Sequence, residues 1–437
     1  MFQKNLDSSA GFVVSKQLQQ LRHGVFFCFV LCVIGLAFFK LAYLMDGYEK
    51  AMMVVLPLSW MLLTVYWKSL QLLTYSVLIA VLLGIYLYAG DIGSAQFGIL
   101  KYILASQTAL MWMGVLILLS TLCYWKALFF KSERISLSLF KTGNHTLWLA
   151  VWAGWVALGM RWYESYLISP DLGRIPISNL YEVFILFILI TALLYLYYEQ
   201  KHHTPALGGF VLLVLCAALA FLYWYSTERQ AHTITGLVPA LQSWWMKIHV
   251  PANFIGYGAF SLAAMVAFAS LLKHYRHNTK ALIALFFLAV LLFLEPLVFR
   301  KNIELSGLPA YASFAFVLAA VIVACRRVIV KRLPSLKVMD MWMQQSIALG
   351  FLFFTLATIL GAFWAADAWG AYWQWDPKET WAFIVWLNYA AWLHLRLVKQ
   401  WRGAVLAWWA LMGLLLTGFA FLGVNMFLSG LHSYGEL

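Results

Sequence analysis

Five tryptophans, Trp364, Trp369, Trp373, Trp375 and Trp381, fall within 18 residues of a chain that has 22 in 437, where even spacing would put about one. Indoles at a membrane surface normally form a sparse belt. A cluster this dense suits a large, flat, apolar ligand, and a porphyrin has that shape. Its iron would need axial ligands, for which imidazoles are the common choice. The chain has ten histidines. His202, His203, His274 and His277 lie among Lys and Arg in polar loops and read as solvated residues, while His23 and His145 sit at helix ends. His249 follows Trp244 and Trp245 in LVPALQSWWMKIHV, and His432 follows the last apolar run in GVNMFLSGLHSYG. Both are expected on the face that carries the Trp-rich segment, each attached to a helix end. Two readings stand for the pair: opposite axial ligands of one haem iron, or two interfacial hydrogen-bonding residues. His232, in STERQAHTITG, competes for an axial place, but no helix end fixes it.

His394 differs because it lies inside the apolar segment AFIVWLNYAAWLHLRL, and an ionisable side chain within a membrane span is by default a functional one. The start of its helix is legible. Asp376 suits the N-cap, Pro377 the first helical position, and Glu379 completes an Asp-x-x-Glu capping box. From Pro377 to His394 is 17 steps, or about 25 Å at 1.5 Å per residue, against a hydrocarbon core of about 30 Å. His394 therefore belongs to the inner half of the membrane, with Ala390 and Ala391 leaving room beside its ring or serving helix packing. Lys378 reads as an interfacial cation or, with Arg161 and Arg174, as a counter-charge for acidic groups on the ligand.

The elements that must position these residues are membrane helices. With 64% hydrophobic and 11% charged residues and a mean hydropathy of +0.82, the chain is not a soluble domain. Runs of roughly 20 apolar residues predict an all-α polytopic membrane protein with about 13 transmembrane helices, the first three over 24–89, the fourth over 98–125 and a pair at 281–299 and 310–328. The polar leader is too long and mixed for a signal peptide, so the first helix is expected to remain. The net charge of +13 reports topology and gives no nucleic-acid site. Alternate loops carry 20 and 10 of the 30 Lys and Arg, which predicts a cytoplasmic N-terminus and an outer C-terminus. Five cysteines within apolar runs offer neither a disulfide framework nor a redox pair. No P-loop, HExxH or Ser/His/Asp arrangement is present, which argues against hydrolysis and nucleotide-driven transport.

WGAYWQWDPKETW, from Trp369 to Trp381, resembles the Trp-rich "WWD" signature of the haem-handling superfamily that includes CcmF, CcmC and CcsA. With PISNLYE (Pro176–Glu182), LVPALQSWWMKIHV (Leu237–Val250), WLHLRL (Trp392–Leu397) and GVNMFLSGLHSYG (Gly423–Gly435) in family order across 98–437, the chain is similar to the CcsA family of system II cytochrome c biogenesis. The resemblance implies a cytochrome c haem lyase that works with a CcsB-type membrane protein. Haem b would move to the outer face and be attached to the CxxCH motif of apocytochrome c, with a thiol-reducing partner keeping the cysteines reduced. It implies His249 and His432 as ligands of the outer haem iron beneath Trp369, Trp373, Trp375, Asp376 and Trp381, and His394 as a ligand of an inner haem whose second histidine comes from CcsB. The implied location is the bacterial plasma membrane, or the thylakoid membrane for a plastid-encoded chain. Residues 1–97 are expected to be extra N-terminal helices and 98–437 the haem-handling domain, with an added helix pair near 281–328. A system I haem-handling subunit, a multi-helix solute transporter and a resident b-type electron carrier are the alternatives. The LHSYG and PISNLYE segments disfavour the first, and the outer histidines with the Trp cluster disfavour the second. The carrier would want facing ligands within the core.

Overall fold

A computed structural model describes residues 2–43, 45, 47–298, 308–428 and 430. Among them every regular element is helical. In chain order these are α1 (Phe2–Leu41), α2 (Gly47–Tyr66), α3 (Ser69–Tyr88), α4 (Ser106–Phe129), α5 (Glu133–Ile168), α6 (Leu180–His202) and α7 (Gly208–Glu228). They continue as α8 (Trp244–His274), α9 (Thr279–Val298), α10 (Leu308–Ala324), α11 (Arg326–Arg332), α12 (Leu336–Trp369), α13 (Pro377–Leu397) and α14 (Ala404–Gly418). A π turn at Phe419–Gly423 carries α14 on to Phe427. Nine of the described helices are long and apolar enough to cross a membrane on their own, and α10 with α11 forms a tenth candidate bent by 63°. The chain is thus an all-α polytopic membrane protein. The expected segments within α5, α9 and α13 are helical but fall outside that measure among the described residues.

Helix α8 is the axis of the bundle. It is buried along most of its length and packs against α12, α14 and α6. Its small residues permit this, because lipid supplies no hydrophobic drive between helices and close backbone approach must supply contact instead. Gly256 shows the fit: a Cβ there would lie 3.3 Å from the Gly350 carbonyl and 3.1 Å from Phe354 Cβ on α12. Phe260 of α8 stacks on Tyr389 of α13 at 3.6 Å and 8°.

The expected single run over 98–125 is broken. A π turn at Leu100–Leu104 ends at Ala105, whose ψ of 143° is extended, and α4 starts at Ser106. The reason lies on α5. Buried Glu164 accepts the Ser106 N–H at 2.9 Å, the Ser106 hydroxyl, and the Tyr88 hydroxyl at 2.6 Å. A carboxylate that satisfies the first donors of a helix fixes where that helix begins.

The first three helices lie at the edge of the bundle. Helix α3 seats on α5, with Met160 Sδ filling the space where a Cβ at Gly84 would lie 2.5 Å away, and His23 Nδ1 of α1 meets Gln71 Nε2 of α3 at 2.6 Å. The start of α2 reaches the start of α8: Tyr48 stacks on Trp244 at 4.8 Å and 2°, and Glu49 pairs with Lys247 at 3.8 Å.

Candidate functional site

His249 occupies the second turn of α8. Its Nδ1 lies 2.7 Å from the Ala357 carbonyl oxygen of α12. A carbonyl only accepts, so Nδ1 carries a proton, and in the neutral ring Nε2 is then the unprotonated nitrogen, the form in which imidazole binds a metal. One turn beyond Ala357, Gly361 makes the room: a Cβ there would lie 2.9 Å from His249 Cε1. Trp364, one further turn along the same face, sets its ring 5.7 Å from the imidazole and donates its Nε1–H to the Ala240 carbonyl at 2.9 Å. Ala357, Gly361 and Trp364 thus form a seat that holds the ring in one tautomer and one orientation.

The seat is on the wall of a cavity of about 1150 Å³, its open mouth included. Phe254, Tyr257, Phe354 and Phe421 make the apolar floor, and Trp364, Tyr372 and Trp373 stand nearer the loop. Polar side chains on the wall include Asn179, Asn253, Thr358, Lys378, Glu379 and Asn425. The Lys378 ammonium donates to Asn425 Oδ1 at 2.7 Å, and both side chains line the cavity. The π turn at Phe419–Gly423 sets the register here, since it places both Phe421 and Asn425 on the wall while Asn425 Nδ2 donates back to the Phe421 carbonyl at 2.5 Å. A π turn inside an α-helix commonly marks a working site. An apolar floor, an imidazole and the Lys378 cation fit a flat, apolar, metal-bearing ligand with an acidic edge, while the Glu379 carboxylate on the same wall is taken up by the Gln374 and Asp376 N–H groups.

The Trp-rich segment is held by the cap expected for it. Asp376 accepts the Lys378 N–H at 2.9 Å, and Glu379 Oε2 accepts the Asp376 N–H at 3.3 Å, a complete capping box with Pro377 at the first position. Glu379 also accepts the Gln374 N–H at 2.8 Å. Before the cap, Gly370 closes α12 at φ 80° and Trp375 takes φ 58°. The left-handed region is rare for so bulky a residue, and it turns the Trp375 ring outward, 67% exposed. Trp373 lines the cavity, meets Trp375 edge-on at 5.8 Å, and is half-buried. Trp369 reaches the site through Trp364, ring to ring at 5.4 Å, and Trp381 packs on Phe419 at 4.3 Å.

Other candidates fall elsewhere. His394 is exposed on the face of α13 turned away from the bundle, in a stripe with Phe383, Leu387 and Ala391. Two residues along a helix is about 200° of rotation, so the inward partners of that stripe are Trp392, whose Nε1–H donates to the Leu406 carbonyl at 2.9 Å, and Arg396, which pairs with Asp340 at 2.6 Å. His432 lies outside the described residues. His232 Nδ1 meets the Ser226 hydroxyl and carbonyl at 3.2 and 3.1 Å and does not line the cavity. Arg161 and Arg174 are engaged by Glu182, at 2.9 and 3.9 Å, and by the carbonyls of His232 and Thr235. Burial pulls the Arg174 guanidinium below the ordinary arginine range, against the opposing pull of Glu182. Of the three expected counter-charges, only Lys378 lines the cavity. The five cysteines are all free. Sequence reading missed Ala357, Gly361 and Asn425; the i, i+4 spacing of the two small residues on α12 was the available signal.

The sequence profile of the family described as "Cytochrome C assembly protein" matches residues 177–432, which takes in α6 to α14, the cavity and the Trp-rich segment. Among curated proteins, the cytochrome c biogenesis protein CcsA of Chlorella vulgaris is 34% identical over 323 residues, 74% of this chain and 94% of that one. The protein of the same name from Synechococcus sp. (strain CC9311) is 32% identical over 322 residues, 74% of this chain and 95% of that one. That from Guillardia theta is 32% identical over 323 residues, 74% of this chain and 93% of that one. With the matched region spanning the capped Trp-rich segment and the seated His249, the chain belongs to the CcsA family of cytochrome c biogenesis proteins.

Proposed function

We propose that this chain is the membrane subunit of a system II cytochrome c synthase, which brings haem b to the outer face and presents it for covalent attachment to apocytochrome c. The observation that carries this reading is the seat of His249, a neutral imidazole oriented by the Ala357 carbonyl on the wall of an aromatic cavity beside the capped Trp-rich loop. In this reading His249 and His432 ligate the outer haem iron. Trp373 and Trp364 give the flat apolar support, with Trp369 against Trp364, and Trp381 and Asp376 fix the loop that carries Trp375. Lys378 meets a propionate. Each of two cysteine thiols then adds across a haem vinyl group, sulfur to one carbon and hydrogen to the other, with no leaving group and no change in electron count. Such a step needs positioning more than acid–base groups. Thiols must arrive reduced, which is the role of a thiol-reducing partner.

His394 belongs in this reading to a second, inner haem. Its place on an outward stripe of α13 supports a ligand shared with a neighbouring subunit, for which a CcsB-type protein is the expected partner. Residues 1–97 then form an accessory unit, tied to the outer site through the Tyr48–Trp244 stack, beside a haem-handling domain over 98–437. The N-terminus is assigned to the cytoplasm and the C-terminus to the outside, in a bacterial plasma membrane or, for a plastid-encoded chain, a thylakoid membrane.

The test is cytochrome c maturation in cells that depend on this chain. With His249→Gly, haem that stays on cytochrome c in a denaturing gel is expected to fall to background while the variant chain persists in the membrane. Maturation at the normal level would overturn the proposal.

A further inference from the structure

A second cavity adjoins the first. It has about 780 Å³ of empty space, opening included, between α6, α7, α8, α9 and α14, and Tyr257 and Phe421 line both cavities. Tyr257 stands eight residues beyond His249, about 12 Å along the helix at 1.5 Å per residue, so this space lies deeper in the membrane. Its walls are almost wholly apolar, among them Phe184, Leu213, Phe221, Met265 and Leu292. Into them α9 brings one carboxyl group, Glu295. The carboxyl lies against the backbone of α14, where a Cβ at Gly418 would be 2.7 Å from Oε2 and 2.8 Å from Oε1. Among the described residues Glu295 has neither a hydrogen-bond nor an ion-pair partner. The wall hydroxyl of Thr417 donates to the Gly413 carbonyl at 2.7 Å and meets Tyr389 at 3.3 Å.

A carboxyl group in an apolar, membrane-embedded space is costly unless something hydrogen-bonds to it. Hydrocarbon walls around a single carboxyl group, with the hydroxyls of Tyr257, Ser261 and Thr417 as the other polar groups of the lining, describe the complement of a molecule with one apolar chain and one donor. We propose that this cavity binds a single-chain lipophile through a hydrogen-bond-donating head, an alcohol or an amine, held by Glu295. A fatty acid carboxylate is disfavoured because it would set like charge against Glu295, and a plain alkane because it leaves Glu295 without a partner. The site does not depend on what the first cavity holds.

The full chain, free of haem and reconstituted in phosphatidylcholine nanodiscs, is to be titrated with tritiated dodecanol, dodecylamine, dodecanoate and dodecane, with empty nanodiscs subtracted. Saturable binding of dodecanol or dodecylamine at one site per chain is expected, with dodecane and dodecanoate weaker by about tenfold or more, the worth of one hydrogen bond to a charged group. Glu295→Leu is expected to weaken that binding by about tenfold or more, to the level of dodecane. Glu295→Gln is expected to weaken dodecylamine by about tenfold while changing dodecanol little. Ala217→Phe fills the cavity from the α7 wall and leaves the carboxyl in place, so it is expected to exclude every probe even where Glu295→Leu does not fold. Absence of saturable binding by both donor-headed probes, equal binding of dodecane or dodecanoate, or wild-type binding by Ala217→Phe would each overturn the proposal.

Discussion

The His249 ring has no slack on the side of α12. Gly361→Ala would put a methyl carbon 2.9 Å from Cε1, so the ring must swing away from the Ala357 carbonyl. Overpacking of this kind costs about 1–3 kcal/mol. The expected result is a modestly lowered melting temperature with a disproportionate loss of bound haem, read by thermal unfolding and by haem absorption on the same preparation. Unchanged haem content would show that the seat does not orient a ligand. The imidazole was legible in the sequence because two tryptophans and a predicted helix end surround it. Its seat was not, since the acceptor carbonyl is 108 residues away and only the packing of α8 on α12 brings them together. The reverse holds for Arg161 and Arg174. Their charge suggested a ligand contact, and the fold engages both with Glu182.

At the scale of elements, the capping box at Asp376 was fully legible, because every group in it lies within a few residues and the geometry of a helix start is local. Asp376→Ala is expected to lower stability by about 1 kcal/mol, within the range of about 0.5–2 kcal/mol for lost caps, and to release the Trp375 turn; thermal unfolding and limited proteolysis at the loop would register both. The start of α4 was illegible for the opposite reason, since Glu164 lies 58 residues from the Ser106 it caps. Helix α6 combines both cases. Asn179 caps it locally by accepting the Glu182 N–H at 2.9 Å, while Glu182 holds two arginines from elsewhere. Glu182→Gln removes the one carboxylate between two buried guanidinium groups, and a loss of about 3–5 kcal/mol is expected. A melting temperature equal to wild type would show that the ion pair does not brace α5 and its following loop against α6. For α13 the position of His394, 17 steps beyond Pro377, was legible from the chain alone, but its outward direction was not, because that depends on Trp392 and Arg396 finding partners on neighbouring helices.

For the molecule as a whole, His249 stands on a closed seat and His394 on an open face. Changes at one should therefore leave the other intact. His394→Ala is expected to keep the spectrum of the outer haem and to lose either a second haem or a co-purifying membrane partner; retention of both would remove the inner site from the account. The proposed function stands or falls on His249 as an axial ligand of haem. The absorption spectrum of reduced haem in the purified full chain decides this, wild type against His249→Gly, before and after addition of imidazole. The variant is expected to lose the six-coordinate low-spin spectrum of the haem at this site, and free imidazole entering the vacated space beside Gly361 is expected to restore it. A His249→Gly chain that keeps the wild-type spectrum and haem content without imidazole would contradict the proposed function.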